Sequence, residues 1–205
     1  MVPRIEFRWS WVYDETYHSH TIKSEEFDYE SCMGKMKKFI AEIEKIWRPL
    51  ENDILERISD ITGLKWEENK VFCYLIKRSS LQPISDPLTI PIEFESDGDV
   101  FSLSSPRFVD MFIHELIHNL FVQNDSAMDK YFEEVFNLYP DEEFNTAIHL
   151  LVHAVHKKIF DEFFDPERLE EEFESCKYYP PYNRSWEIVK EKGEDEIIRE
   201  FKRFI

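Results

Sequence analysis

The sequence has little cysteine and little glycine, and both shortages exclude whole classes of protein. Its three cysteines, Cys32, Cys73 and Cys176, are odd in number, lie far apart and form no Cys-x-x-Cys pair. We therefore expect no disulfide framework, and a reducing compartment fits this cysteine usage better. Only four glycines are present among 205 residues, which argues against a glycine-rich phosphate-binding loop.

Positive charge and long apolar runs are also scarce. The chain has 25 Lys and Arg against 43 Asp and Glu, a net charge of −18. This sign argues against a nucleic-acid partner and favours solubility or a basic partner. No segment approaches about 18 uninterrupted apolar residues, and the N-terminus has no charged start followed by an apolar run. We expect a cytoplasmic protein that has no secretory leader and no membrane partner.

The most informative segment is Phe112-Ile-His-Glu-Leu-Ile-His-Asn-Leu120, which contains His-Glu-x-x-His. On a helix, His114 and His118 lie one turn apart on the same face, so their imidazoles can bind one zinc ion. Glu115 follows the first histidine and can reach a water on the metal, where a general base is needed. Apolar neighbours and the upstream Ser-Ser-Pro at 104–106 predict a buried helix that begins there.

This segment resembles the active-site helix of the zincin superfamily of zinc metallopeptidases. The resemblance covers residues 104–124, with a weaker echo around 141–160. Phe121 and Asn124 stand where the metzincin branch has glycine and a third histidine, and the Glu-x-x-x-Asp arrangement of thermolysin-like enzymes is lacking. The resemblance implies one Zn²⁺ per chain and a peptide or protein substrate, and it leaves the family within the superfamily unidentified.

A catalytic zinc usually has three protein ligands, so a third residue is needed beside His114 and His118. His149, His153 and His156 share one stripe of a predicted helix over residues 141–164, at the margin of its apolar face. We slightly prefer His153, because it is central and small Ala154 follows it. His149 stays close behind, and the spacing alone leaves the choice open.

An acidic third ligand is a further alternative. Glu133 or Glu134 would complete the His-His-Glu set that one zincin branch uses, but both lie on a predicted helix rich in ordinary surface acids. His149, His156 or a tyrosine of the 178–182 segment are candidates for hydrogen bonding the oxyanion. The competing hypothesis is a non-catalytic interaction protein, in which a fourth ligand closes the zinc site and the metal only joins helices.

Hydrophobic periodicity predicts an α+β fold in one domain over residues 1–205. An α/β part up to about residue 100 provides a small mixed sheet that packs against several helices, and the helical part 101–205 holds the zinc.

Pro91 predicts a strand at a sheet edge or with a bulge, where an extended peptide could add. His18 and His20 are expected in a polar turn. The predicted strands are 4–13, 71–76 and 88–94, and the predicted helices are 25–47, 50–62, 105–122, 127–138, 141–164 and a last one through 188–201.

Overall fold

A computed structural model of the chain describes residues 1–22, 27–96 and 98–205. Within these ranges nine helices accompany a five-stranded mixed sheet, so the chain is α+β. Two compact units are present. The sheet unit comprises Val2–Asn52 and Glu68–Asn119, and the helical unit comprises Met1, Asp53–Glu67 and Leu120–Ile205. Each unit takes residues from both sides of position 100.

Sequence and structure agree on most of the elements. The strands are β1 Arg4–Arg8, β2 Lys70–Ser79, β3 Ile84–Ser85, β4 Leu88–Ser96 and β5 Asp99–Ser102. The helices are α1 Trp11–Thr21, α2 Tyr29–Trp47, α3 Glu51–Thr62, α4 Ser105–Val122, α5 Asp125–Leu138, α6 Phe144–Phe163, α7 Pro166–Cys176, α8 Pro180–Lys192 and α9 Glu194–Phe201. The first residues predicted for the 25–47 helix, 25 and 26, and Asp97 of a predicted turn lie outside the described residues. No described helix combines the length and the apolar character needed to cross a bilayer.

The sheet has the order β1-β2-β4-β3, with β5 also pairing with β4. β1, β2 and β4 are parallel, whereas β3 and β5 run antiparallel to β4. β4 is therefore an interior strand, so the edge position, one of the two alternatives predicted for Pro91, was wrong. The described ladders explain how proline is tolerated there. β3 pairs with residues 88 and 89 and β5 with residues 93–96, so Pro91 falls between these two short partners.

The prediction of one strand over residues 4–13 was wrong in its second half. β1 ends at Arg8 and α1 begins at Trp11, so the expected polar turn at His18 and His20 is the end of a helix. The reason is tertiary. Asp14 is fully buried and accepts hydrogen bonds from Trp9 Nε1 at 2.7 Å and from the Lys77 backbone N–H at 2.9 Å. These contacts hold a helical first turn that the alternating pattern does not reveal.

α4 is fixed within the sheet unit by aromatic packing. The Phe112 ring lies 5.0 Å from the ring of Phe7 on β1 and 4.9 Å from that of Trp47 on α2, and all three side chains are buried. Phe108, one turn earlier, also contacts Phe7. Because these rings fix the rotation of α4 about its axis, they also fix where His114 and His118 point.

The free edge of β1 is closed by side chains in place of a strand. Ile5 donates its backbone N–H to Glu51 Oε1 at 2.8 Å, and its carbonyl accepts from Arg48 Nη1 at 2.8 Å. Glu51 is buried and also pairs with Arg48. The two side chains thus satisfy backbone groups that a neighbouring strand would otherwise bind, which protects the edge against pairing with another chain.

We predict that Glu51→Gln destabilises the protein by about 1.5–3 kcal/mol, because it removes a charged acceptor from a buried N–H and from Arg48. Chemical denaturation monitored by circular dichroism measures this change. Glu56→Gln, an exposed position on the same helix, is the matched control and should change stability by less than about 0.5 kcal/mol. Equal stability of the two variants would contradict the role given to Glu51.

In the helical unit, α6 is the central helix and contacts α5, α7, α8 and α9. Twelve of its twenty residues are buried, including all three of its histidines. Two boundaries differ from prediction. α8 already begins at Pro180, inside the segment 178–182 expected to be a loop, because proline suits the first turn of a helix. Gly193, with φ of +88°, then separates α8 from α9 where one continuous helix was predicted.

Candidate metal centre

His114 and His118 point their imidazoles at each other from successive turns of α4. Their Nε2 atoms are 3.2 Å apart, with His114 buried and His118 half-buried. Two nitrogens that each lie about 2.05 Å from a tetrahedral zinc are themselves about 3.3 Å apart. The two ring nitrogens therefore already have the separation that zinc requires, and the pair fits the metal.

Glu115 lies between the two histidines in sequence and is only 7% exposed. Burial in apolar surroundings raises the pKa of its carboxyl to about 8. The buried thiol of Cys73 on β2 is a neighbour, and its pKa is raised by burial and then by the charge of Glu115. A carboxyl with a pKa near neutrality can both accept and release a proton at physiological pH, as general acid–base catalysis requires.

His149 on α6 has one ring nitrogen fixed by a hydrogen bond to the backbone. Its Nδ1 lies 2.7 Å from the carbonyl oxygen of Asn145, one turn earlier. A carbonyl only accepts, so Nδ1 carries the proton and donates it, which leaves the lone pair on Nε2. Burial lowers the pKa of His149 to about 4, so the ring is neutral at pH 7. Metal-binding histidines commonly have this neutral form and this second hydrogen bond.

His153 and His156 are packed in a different way. The His153 ring stacks flat on Trp186 of α8, with 4.2 Å between centroids and 5° between planes, and its Nδ1 is 2.9 Å from Ser185 Oγ. His156 makes an edge contact with Phe160 at 4.4 Å. Both histidines have no exposed surface. These contacts are those of histidines that hold helices together.

His149 and His153 differ in what holds their rings within the helical unit. A backbone carbonyl accepts from Nδ1 of His149, as is common for metal-binding histidines, whereas His153 meets a side-chain hydroxyl and a stacked indole. These surroundings favour His149 over His153 as the third ligand, the reverse of the preference drawn from the sequence. Spacing along one stripe of a helix could not rank the two, because the Ser185 and Trp186 contacts of His153 are set by packing.

The other candidate ligands lie in surroundings that do not indicate a metal site. Glu133 and Glu134 are exposed on α5, and an Asn137 side chain approaches Glu134 Oε2 at 3.4 Å. His18 is buried against Phe27, and His20 is exposed on α1. Exposed acids on a helix surface are ordinary solvated groups, so the structure gives no reason to prefer them.

Two features near the candidate ligands were missed by sequence reasoning. Ser185, 32 residues from His153, has no pattern that links it to a histidine. Asn119, which follows His118, donates its side-chain amide to the carbonyl of Ser85 at 2.8 Å and so ties β3 to the histidine helix. Only the Asn145 carbonyl was within reach of prediction, because position i−4 is the natural acceptor for a helical histidine.

Comparison of the chain with protein-family models, with curated proteins and with solved structures finds no significant match. The resemblance of residues 104–124 to a zincin helix therefore rests on the sequence motif alone. Within the described residues, α4 carries a histidine pair at zinc-binding separation and a buried carboxyl with a pKa near neutrality. α6 carries His149, whose Nδ1 donates to a backbone carbonyl.

Proposed function

We propose that this protein is a zinc-dependent metallopeptidase that hydrolyses peptide bonds in a peptide or protein substrate. The observation that carries the proposal is the 3.2 Å separation of the His114 and His118 Nε2 atoms, with the buried carboxyl of Glu115 next to His114 in the same helix turn. His149 is the third ligand in this proposal, because its Nδ1 donates to the Asn145 carbonyl, which places the lone pair that can bind a metal on Nε2.

Zinc held by His114, His118 and His149 would supply a Lewis acid that lowers the pKa of a water molecule to about 7. Glu115 acts as the general base and takes a proton as the water attacks the scissile carbonyl. Glu115 then delivers that proton to the leaving amine. Its pKa of about 8 before any metal binds reflects an apolar environment that excludes bulk water, in which charges interact more strongly.

A non-catalytic zinc site would need a fourth protein ligand to close the coordination sphere. His153 is the residue that the sequence offers for this position. Its Nδ1 contacts Ser185 and its ring is stacked on Trp186, and these contacts account for the burial of His153 without a metal. A buried acid with a raised pKa is also unnecessary in a purely structural site. Both observations favour the catalytic proposal.

Elemental analysis of protein that is purified without added metal or a histidine tag tests the zinc site. We expect about one zinc per chain, lost in His114→Ala and in His149→Ala. His20→Ala, at an exposed histidine on α1, is the control and should retain zinc. His156→Ala, a buried histidine of the same helix as His149, controls for packing loss in α6.

Thermal melts of the same variants show whether each one is folded. A wild-type chain that contains no zinc, and takes up none on addition, would refute the proposed function. Zinc that is lost in His153→Ala but retained in folded His149→Ala would restore His153 as the ligand and leave the proposed chemistry unchanged.

A further inference from the structure

We propose that Tyr182, braced by Tyr179, is a positioning residue that fixes the His149 imidazole in its metal-binding orientation. This inference rests on the proposed zinc site. The two tyrosines belong to the sequence Tyr178-Tyr-Pro-Pro-Tyr182, which has no role in the mechanism above. All the contacts that support the inference lie within the helical unit.

Tyr182 is the aromatic residue that packs directly on the candidate ligand. Its ring centroid lies 4.2 Å from that of His149, with 39° between the ring planes. The same ring meets His153 at 5.5 Å and 79°, an edge contact. Because the torsion that rotates an imidazole is broad and roughly two-fold, α6 alone does not choose the ring orientation. A ring packed against one face of His149 supports the orientation that the hydrogen bond to the Asn145 carbonyl selects.

Tyr179 braces Tyr182 and also Asn145. The rings of Tyr179 and Tyr182 form an edge contact at 4.7 Å. The Tyr179 hydroxyl accepts a hydrogen bond from Asn145 Nδ2 at 3.2 Å. Asn145 is the same residue whose carbonyl accepts from His149 Nδ1. Tyr179 therefore holds both neighbours that orient the imidazole, the packed ring and the carbonyl acceptor.

The first turn of α8 is tied to the start of α6 by two further contacts. Thr146 Oγ1 donates to the carbonyl of Pro181 at 3.2 Å. Arg184 forms a forked ion pair with Glu142, with Nη2–Oε1 at 2.8 Å and Nε–Oε2 at 3.2 Å. Planar bidentate pairs define geometry as well as adding energy. These ties keep the Tyr182 ring in place, so His149 is preorganised before metal binds.

Zinc affinity measured by competition with a chromophoric chelator tests this inference. We expect Tyr182→Leu to raise the zinc Kd about 10- to 100-fold, the usual effect of removing a group that orients a metal ligand. Tyr182→Phe keeps the packed ring and should restore affinity to the wild-type value. Tyr178→Leu is the matched control at a neighbouring tyrosine, because Tyr178 is 92% exposed.

NMR of the metal-free protein gives a second readout that does not need zinc or activity. The His149 Nδ1–H should be observable and protected in wild type and in Tyr182→Phe, and lost in Tyr182→Leu. Equal zinc affinity in wild type and Tyr182→Leu would overturn this inference while leaving the proposed function intact. If Tyr182→Phe lost as much zinc affinity as Tyr182→Leu, the inference would also be overturned, since the hydroxyl would then be the essential group. A wild type that binds no zinc would overturn the proposed function itself.

Discussion

Replacing Glu115 with glutamine should lower peptide cleavage by about 10²- to 10⁴-fold while the protein keeps its zinc. Glutamine has nearly the same shape as glutamate but cannot accept a proton, so the change removes the general base and leaves the metal ligands in place. The measurement is the initial rate of cleavage of a fluorogenic peptide mixture, together with zinc content by elemental analysis. The loss should appear in kcat, because the proton transfer belongs to the chemical step.

Glu56→Gln makes the same substitution at an exposed carboxylate and should leave the cleavage rate unchanged. Cleavage that persists undiminished in zinc-loaded Glu115→Gln would contradict the role of Glu115 and point to a contaminating protease. Cleavage that disappears together with the zinc would mean that Glu115 supports the metal site and would leave its role as base unsupported.

The stability of the metal-free protein should fall with rising pH because Glu115 is buried. The pKa of Glu115 is about 8 in the folded chain against an ordinary 4.5, so the native state holds a proton that the unfolded state has already released. Stability from this group is complete below pH 4.5 and is lost as pH rises toward 8. Between pH 6.5 and 8 the expected loss is about 1.6 kcal/mol.

Urea unfolding in the presence of a chelator, at several pH values, measures this loss, and Glu115→Gln is the matched comparison. His149 acts in the opposite direction at lower pH, since its folded pKa of about 4 lies below the ordinary 6.5. The contribution of His149 to the free energy of unfolding rises from pH 4 to pH 6.5 and is constant above pH 6.5. The difference between wild type and Glu115→Gln above pH 6.5 therefore isolates Glu115. A pH-independent difference would show that the carboxyl is already ionised in the fold.

The raised pKa and the proposed catalytic role come from one physical cause. α4 is apolar on every side of the motif, and Ile113, Leu116 and Ile117 have no exposed surface. A carboxyl placed among them loses hydration, and its charged form is penalised. The same burial lowers the stability of the folded protein at neutral pH. Functional sites commonly combine activity with such a loss of stability. A cation bound nearby would offset this cost by favouring the ionised carboxylate.

Local sequence was sufficient for the elements whose pattern and packing agree. α4 begins at Ser105, as the Ser-Ser-Pro signal predicts, and its apolar positions are the ones that pack on Phe7 and Trp47. The separation of His114 and His118 follows from helix geometry, because residues four apart always lie on one face. The histidine pair and the α+β class were thus predictable from the chain itself.

Predictions from the sequence were wrong where the local residue pattern favours one structure and tertiary contacts stabilise another. Alternating aromatic residues over 4–13 suggest a strand, but burial of Asp14 under Trp9 and Lys77 holds Trp11–Thr21 as a helix. Pro91 suggests an edge strand, but β4 lies inside the sheet because its two short partners leave room around the proline. In each case the deciding contact joins residues far apart in the chain, which periodicity cannot detect.

The candidate ligands also differ in whether local sequence or tertiary contacts determine their arrangement. His114, Glu115 and His118 depend on one helix, so their arrangement was determined by the sequence alone. The preference between His149 and His153 depends on which ring nitrogen meets a carbonyl and which ring stacks on Trp186. The Asn145 carbonyl lies one turn earlier in α6, whereas the Trp186 contact arises from the packing of α8 on α6. The order of residues in α6 determined that its histidines share one stripe, and only the tertiary structure decided how each imidazole is turned.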